Sequence, residues 1–508
     1  MEITSRSDLQ VRVESNMFQF PGNLGSLLDR SKELFSSRGG IAVEDALLTF
    51  SEYHDRVCRL VHGLQKAGLQ RSDRVLLISP NTLSYAFVSL AVFRIGAVLV
   101  PANPKIRHFE LAHILAETRP KLIICEANAT GSALKAYELL RETPTADFIT
   151  LDEKVPSAMF IKDLDTSRVS PYCEMMNQDD AAMIVYTGAL DGYSLGAELT
   201  HGSIFYDAVC VAEEALKGDD AQRQVVASVL PLFHTYGFTT GLLVPLAGSA
   251  TCLLLNTSLG ARKIVSLLET YQATQIFSVP AIFFSIMKPL SEKPHLCSQL
   301  QNLTSGGIRI PLKLLDKYRD HLGLNIAEGY GLTEASPVVT WNRFDRQPKF
   351  GTVGYPLSCC QVKIVDDEGN ELSPDQEGEV LVRGLNLFSG YLNQPAHTRN
   401  AFLGDWLRTG DLGHLDDENY LTLTGLKKDM INILGLKVYP REVERILTYH
   451  PNVKSARIWE DWDEKFGNIV AGEIFLEPGR AMSARDFQDW CRANISPYKI
   501  PRKIMIHD

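Results

Sequence analysis

The chain has 508 residues, of which 45% are hydrophobic and 22% are charged, and its formal net charge is −10. This length predicts more than one domain, and the hydrophobic share is that of a globular protein with ample core. The 36 glycines and 24 prolines exclude a collagen-like chain. The acidic balance argues against a nucleic-acid-binding protein, whereas a small anionic ligand needs only one basic pocket.

Nine cysteines are spread along the chain without a CxxC pair, and the N-terminus has no apolar signal segment. This pattern favours reduced thiols in a cytoplasmic protein. The most apolar stretches, 85–101 and 242–255, are interrupted by Arg94 and by Pro245 and Gly248. Neither stretch is a good membrane span, so both are predicted to be buried elements.

Short β-branched runs alternate with helical patterns through most of the chain. The predicted strands lie at 75–79, 96–100, 182–186, 225–230 and 275–279, and the predicted helices at 84–95, 202–216 and 261–271. Continuous apolar strands between amphipathic helices are typical of parallel sheets covered on both faces. These elements therefore predict an α/β domain.

The pattern changes after about residue 350, where strand-like segments are separated by turn clusters such as DDEG at 366–369. This predicts a small antiparallel β module at about 351–425. Beyond a second boundary near 425–429, one helix begins at Pro440 and another follows Ser483, which has Asp486 three residues on, as in a capping box. We therefore predict a large domain at 1–428 and a small α/β domain at 429–508.

The segment GYGLTE at 329–334 combines groups that suit a nucleotide. Gly329 and Gly331 allow the backbone to approach a flat ligand closely, and Tyr330 offers a stacking face. Thr333 offers a hydroxyl, and Glu334 offers a carboxylate suited to Mg²⁺. The alternative is a glycine-rich turn that binds no ligand.

Other positions also allow two interpretations, one functional and one purely structural. Asp411 follows a tight turn and can accept hydrogen bonds from the two hydroxyls of a ribose, or it is an ordinary turn aspartate. His234 lies between aromatic residues at a strand end, where it either gates an apolar pocket or is a structural histidine. The glycine-rich segment 305–311 follows a strand and is either part of the site or simply a tight loop. The lysines at 427–428 lie at the predicted domain boundary, where they either belong to a hinge or are solvated linker charges.

Together and in this order, these clusters resemble the adenylate-forming superfamily, and most closely its medium- and long-chain acyl-CoA synthetases. The resemblance runs from about Leu27 to the end of the chain and includes GTVGYP at 351–356 and PYKIPR at 497–502. It implies a large domain of two layered parallel αβ sheets with the antiparallel β module, followed by a small, mobile C-terminal α/β domain. It also implies that a carboxylic acid reacts with ATP to give acyl-AMP, and that CoA then displaces AMP.

The resemblance implies an adenylate site. Tyr330 would stack on the adenine, Gly306 and Gly307 would line its edge, and Asp411 would bind the ribose. The other residues implied to bind nucleotide are Thr187, Gly192, Glu328, Gly329, Gly331 and Thr333.

The catalytic residues implied by the resemblance are Thr333, Glu334 and His234. Thr333 would hold the α-phosphate, Glu334 would hold Mg²⁺, and His234 would gate the acyl pocket. Lys428 would act as the hinge of the small domain, and Gly435 would line the channel for the pantetheine arm of CoA.

The chain departs from the family where ATP phosphates are held. The segment 186–201 matches the phosphate loop at its ends, but Leu190 and Asp191 replace hydroxyl residues and Leu195 stands at the lysine position. Leu426 stands where an arginine is expected, and the chain ends at Asp508, before the segment with the catalytic lysine. The small domain is therefore expected to be truncated. Loss of one preorganised donor costs about 10²–10³ in rate, so ATP activation is expected to be impaired.

Three hypotheses follow. The first is an AMP-forming acyl-CoA synthetase for a fatty or aryl acid. The second is a relative that binds acyl-AMP, AMP or acyl-CoA, or catalyses only the transfer to CoA. The third is an enzyme that loads a carrier protein. An apolar region around 233–238 favours an aliphatic or aryl acid over an amino acid. The sequence does not indicate an oligomeric state.

Overall fold

The computed structural model describes residues 19–156, 158–164, 169, 171–187, 194–216, 224–256, 258–342, 348–426, 430–433, 436–464 and 466–507. The predicted site residues Gly192, Lys428 and Gly435 lie outside these ranges. The described part has a large domain with two central sheets, an antiparallel β module, and a small C-terminal domain.

The first sheet has eight strands. In spatial order they are Gly390–Tyr391, Leu195–Thr200, Ala181–Thr187, Val98–Ala102, Arg74–Ile78, Leu122–Cys125, Asp147–Thr150 and Met159–Phe160. The strands from Ala181–Thr187 to Met159–Phe160 are parallel. Leu195–Thr200 runs antiparallel to Ala181–Thr187.

The second sheet has nine strands. In spatial order they are Tyr355–Pro356, Val338–Trp341, Ile326–Gly331, Asn302–Ser305, Gln275–Ser278, Val225–Ser228, Thr251–Leu254, Gly39–Val43 and Ala46–Thr49. Its six middle strands are parallel, and both edges are antiparallel.

The predicted α/β class is confirmed, but the sheets are mixed rather than purely parallel. The reason is the length of two connections. The chain returns directly from Thr187 to Leu195 and from Gly331 to Val338, and such short links cannot carry the crossover helix that a parallel neighbour needs. Thr187 and Gly331, the last residues of the two strands, line cavities at the edge where the predicted site residues meet.

Helices cover the two sheets. Those of the large domain are Leu27–Phe35, Phe50–Lys66, Leu83–Ile95, His108–Thr118, Thr130–Leu140, His201–Ala215, Thr235–Phe238, Val244–Ala247, Ala261–Thr270, Pro280–Ser291, Pro294–Gln299, Leu312–Lys317 and Pro395–Asn400. Leu83–Ile95 and His201–Ala215 are buried along most of their length and share one hydrophobic core with strands of both sheets. Among the described residues, no helix is long and apolar enough to cross a membrane.

The β module is antiparallel throughout. Its strands are Cys360–Val365, Gly378–Gly384, Trp406–Leu415, Phe402–Leu403 and Leu421–Leu426. The pairing of Trp406–Leu415 with Leu421–Leu426 places Leu426 directly opposite Asp411.

The small domain has its own hydrophobic core. A hairpin of Ile431–Ile433 and Leu436–Val438 precedes a sheet of Val453–Asp463, Gly467–Leu476 and Lys503–His507 and the helices Pro440–Leu447 and Ala484–Asn494. The predicted cap of the last helix is confirmed, because the Ser483 hydroxyl accepts a hydrogen bond from the Asp486 N–H at 3.1 Å.

Arg94, the charged residue that interrupts the apolar stretch 85–101, is buried, and its guanidinium is hydrogen-bonded on all three nitrogens. The Arg94 guanidinium donates to both carboxylate oxygens of Asp29, at 2.8 and 2.9 Å, and to the carbonyls of Gly25, Pro171 and Tyr172. It thereby ties the first helix of the domain to the central helix Leu83–Ile95.

Arg94→Met is expected to lower the free energy of unfolding by about 3 kcal/mol or more, because it removes the buried guanidinium from the carboxylate of Asp29, which keeps the His54 ring at 2.8 Å, and from three backbone carbonyls. Arg71→Met is the matched control. Arg71 is 45% exposed and pairs with Asp180 at 2.9 Å, and exposed pairs contribute about 1 kcal/mol or less. Urea denaturation of both variants tests this, and equal losses would contradict it.

Candidate active site

The predicted site residues gather where parallel strands of the second sheet end. Gly306 and Gly307 follow the strand Asn302–Ser305, and Gly329 and Tyr330 lie at the end of the adjacent strand Ile326–Gly331. Carboxyl ends of neighbouring parallel strands meet at one edge of a sheet, which is where α/β proteins bind ligands. These residues line one cavity together.

Close backbone contact explains one glycine of this edge. A Cβ on Gly331 would lie 1.9 Å from the carbonyl oxygen of Pro337, so a larger residue does not fit there. Gly306 is less constrained, because its Cβ would lie 3.1 Å from the Tyr236 ring.

Tyr330 and Asp411 form a direct contact between the second sheet and the β module. The Tyr330 hydroxyl donates a hydrogen bond to the Asp411 carboxylate. Burial and the neighbouring carboxylate raise the pKa of Tyr330 well above its ordinary value, so the phenol stays protonated. The bond holds the edge of the ring at Asp411, and Tyr330 lines the cavity.

Glu334 joins the ends of strands from both sheets. The Tyr391 hydroxyl donates to Oε1 of Glu334 at 2.8 Å, and the Thr187 hydroxyl lies 3.5 Å from the same oxygen. The neighbouring Thr333 is buried and lines two cavities. Tyr391 was missed as a site residue in the sequence, although the resemblance includes the segment that contains it.

Three cavities meet around His234, which lines all of them. The first, the apolar pocket, has walls of Tyr236, Phe277, Trp341 and Val338. The second, the polar cleft, has a lining that includes Thr187, Ser194, Glu110, Lys437 and Lys499. The third, the interdomain channel, is lined by both domains, including Val229, Phe233, Ile282, Leu436 and Tyr498.

The imidazole of His234 is fixed by a hydrogen bond to the first turn of the helix Thr235–Phe238, which His234 precedes. Its Nδ1 accepts a hydrogen bond from the Tyr236 N–H at 3.2 Å, which assigns the proton of the neutral ring to Nε2. Burial, with a contribution from Lys437, lowers the pKa of His234 to about 4. His234 is therefore neutral at neutral pH.

Lys437 of the small domain lines both the apolar pocket and the polar cleft. Burial lowers the pKa of its ammonium, but Tyr439, Glu334 and Asp411 outweigh burial and raise that pKa above its ordinary value. A cation therefore lies near two carboxylates of the site.

Three other positions singled out in the sequence contribute no charge to the cavities: Glu328 does not line them, and Leu195 and Leu426 have uncharged side chains. Glu328 accepts a hydrogen bond from the Ile310 N–H at 3.2 Å and so supports the 305–311 turn, and it does not line the three cavities. Leu195 is buried, whereas Leu426 is 48% exposed beside Asp411.

The sequence profile of the AMP-binding enzyme family matches residues 34–392, and that of the AMP-binding enzyme C-terminal domain matches residues 442–508. A feruloyl-CoA synthase from Amycolatopsis sp is 30% identical over 464 residues, covering 91% of this chain and 90% of that protein. A long-chain-fatty-acid–CoA ligase from Escherichia coli O157:H7 is 26% identical, covering 99% of this chain and 93% of that protein.

Among solved structures, the chain is similar to o-succinylbenzoate–CoA synthetase from Bacillus subtilis, with 25% identity. The TM-score is 0.82 for that enzyme bound with its CoA product analogue, with 95% of each chain covered. The TM-score is 0.70 for its complex with AMP, with 95% of this chain and 94% of the other covered. The predicted resemblance is confirmed: the chain belongs to the AMP-binding enzyme family.

Proposed function

We propose that this chain is an AMP-forming acid–CoA ligase that prefers an aromatic carboxylic acid. The observation that carries the proposal is the meeting of three cavities of different chemistry at His234, two of which Thr333 also lines. The apolar pocket suits the acid, the polar cleft suits the phosphate of an adenylate, and the interdomain channel suits the arm of a thiol.

The adenylate would lie along the strand ends of the second sheet. Tyr330 offers its ring to the adenine, and the carboxylate of Asp411, which already accepts the Tyr330 hydroxyl, would accept the ribose hydroxyls. Thr333 would donate to the α-phosphate. Lys437 would supply the positive charge beside that phosphate, because Leu195 and Leu426 cannot.

Glu334 fits a Mg²⁺ ligand. Tyr391 donates to one carboxylate oxygen, Oε1, and the Thr187 hydroxyl lies 3.5 Å from the same oxygen. The described residues contain no group of three or more histidine, cysteine, aspartate or glutamate side chains that could hold a metal. A single carboxylate agrees with Mg²⁺, which is commonly held by one or two carboxylates together with substrate phosphates.

The shape of the apolar pocket favours an aromatic acid. Its lining includes Phe277 and Trp341, whose rings pack against each other with centroids 6.2 Å apart, and Tyr236. An aromatic lining suits offset or edge-to-face packing of a substrate ring. The 30% identical feruloyl-CoA synthase supports the same class.

CoA is the acceptor that best fits the interdomain channel. The chain as a whole superposes better on the relative bound with a CoA product analogue than on the same relative bound with AMP, with TM-scores of 0.82 and 0.70. Leu436 of the small domain and Phe233 of the large domain line the same cavity.

The proposal predicts one aryl-CoA and AMP as products when the chain is incubated with ATP, Mg²⁺, CoA and a mixed panel of aryl acids and straight-chain acids from acetate to stearate. The aryl product should dominate because aromatic rings line the pocket. Mass spectrometry identifies the products, and omission of ATP or CoA is the control. A dominant fatty acyl-CoA would refute the aromatic preference, and no acyl-CoA from either ATP or synthetic acyl-AMP would refute the ligase.

A second candidate is a relative that catalyses only the transfer from acyl-AMP to CoA. Leu426 favours it, because this half-exposed leucine lies directly opposite Asp411, where a cation would reach the phosphates of ATP. Its side chain has no donor for an anionic ligand.

Leu426→Arg is expected to raise the rate of ATP-dependent adenylate formation by about tenfold or more, since one preorganised donor contributes about 10²–10³. Transfer from synthetic acyl-AMP to CoA should change little. Leu426→Gln is the uncharged control. Pyrophosphate release measures the first step, and an unchanged rate in Leu426→Arg would show that the missing arginine does not limit activation.

A further inference from the structure

One turn of the large domain is inserted into the small domain. This turn is the start of the helix His108–Thr118, and its Phe109 packs against the core of the small domain. The Phe109 ring stacks on that of Tyr449 with centroids 4.7 Å apart and planes 9° apart, and its centroid lies 6.2 Å from that of Trp490.

The next residue, Glu110, makes a buried ion pair across the same boundary. Its Oε1 accepts a hydrogen bond from the Lys499 ammonium at 2.7 Å, and its Oε2 accepts from the Ser496 hydroxyl at 2.6 Å. The ammonium also donates to Glu442 at 2.8 Å. The side chains of Lys499, Glu110 and Glu442 are 8%, 6% and 4% exposed.

The two carboxylates differ in one respect. Glu442 and Lys499 belong to the same domain, so their pair persists wherever that domain moves. Glu110 belongs to the other domain, so its bonds to Lys499 and Ser496 exist only in the arrangement observed here. Removing a partner from a buried ion pair is costly, so these bonds specifically favour this arrangement.

This arrangement is the one that builds the channel. The Asn432 side chain donates to the carbonyl of Gly307 at 2.9 Å, and Leu436 and Lys437 line the cavities around His234. Contacts that hold the small domain in place therefore also hold these groups at the site.

We propose that Phe109 and Glu110 are positioning residues for the transfer of the acyl group to the thiol, and that they contribute nothing to adenylate formation. The proposal rests on the proposed ligase function. Phe109 and Glu110 act through the small domain: they keep Lys437 and the channel wall beside the acyl-AMP, and they do not touch the reacting atoms.

The test measures the two half-reactions separately in Glu110→Gln and Phe109→Ala. Transfer from synthetic acyl-AMP to CoA, followed in single turnover, should fall about tenfold or more, as for a lost charge-assisted hydrogen bond. In Phe109→Ala, whose side chain lines none of the three cavities, the rate of pyrophosphate release from ATP and the acid without CoA should stay within about twofold of the wild-type rate. Phe109→Tyr keeps the ring and should retain transfer, and the exposed Glu138→Gln on a neighbouring helix is the control.

Equal losses in both half-reactions would overturn the proposal, because they would show a general structural role. Unchanged transfer in both variants would also overturn it. Inactivity of the wild type in both half-reactions would instead refute the ligase function. In that case hydrogen exchange of the full chain tests the domain contact. Glu110→Gln should raise amide exchange at 108–111, 436–438 and 496–499 only. An unchanged exchange pattern would overturn the proposed role of Glu110 in that contact.

Discussion

The electrostatics of the site depend on a cation that belongs to the small domain. Glu334 and Asp411 place two carboxylates beside the proposed adenylate, and among the described residues of the apolar pocket the cation is Lys437. An acyl-adenylate carries a negative charge of its own, so binding it beside these carboxylates requires a compensating group. The position of the small domain therefore governs both the charge and the shape of the site.

This dependence gives the departures from the family a common physical meaning. Leu195 and Leu426 remove positive charge that the large domain would otherwise supply during reaction with ATP. Phe109 and Glu110 stabilise the arrangement in which the small domain supplies it instead. As an acid–CoA ligase, the chain is then better built for the step that uses acyl-AMP than for the step that makes it.

Local patterns in the sequence and the family resemblance were sufficient for much of this account. Alternating apolar strands and helices predicted the α/β class, and the resemblance to the adenylate-forming superfamily implied one site for Tyr330, Thr333 and Asp411. Contacts between distant segments were not predictable: Phe109 and Tyr449 are far apart along the chain, and neither is part of a motif. The role of Lys437 was not predictable for the same reason, because only the docked small domain brings it near the carboxylates of Glu334 and Asp411.

The central claim is that Lys437 supplies the charge that holds the adenylate, and calorimetric binding of a non-hydrolysable acyl-sulfamoyl adenosine tests it most directly. If the claim holds, Lys437→Met raises the Kd about 10- to 100-fold, as for the loss of a charge-assisted hydrogen bond, while Lys437→Arg stays close to the wild type. A Kd for Lys437→Met equal to that of the wild type would contradict the claim and would place the binding energy entirely in the large domain.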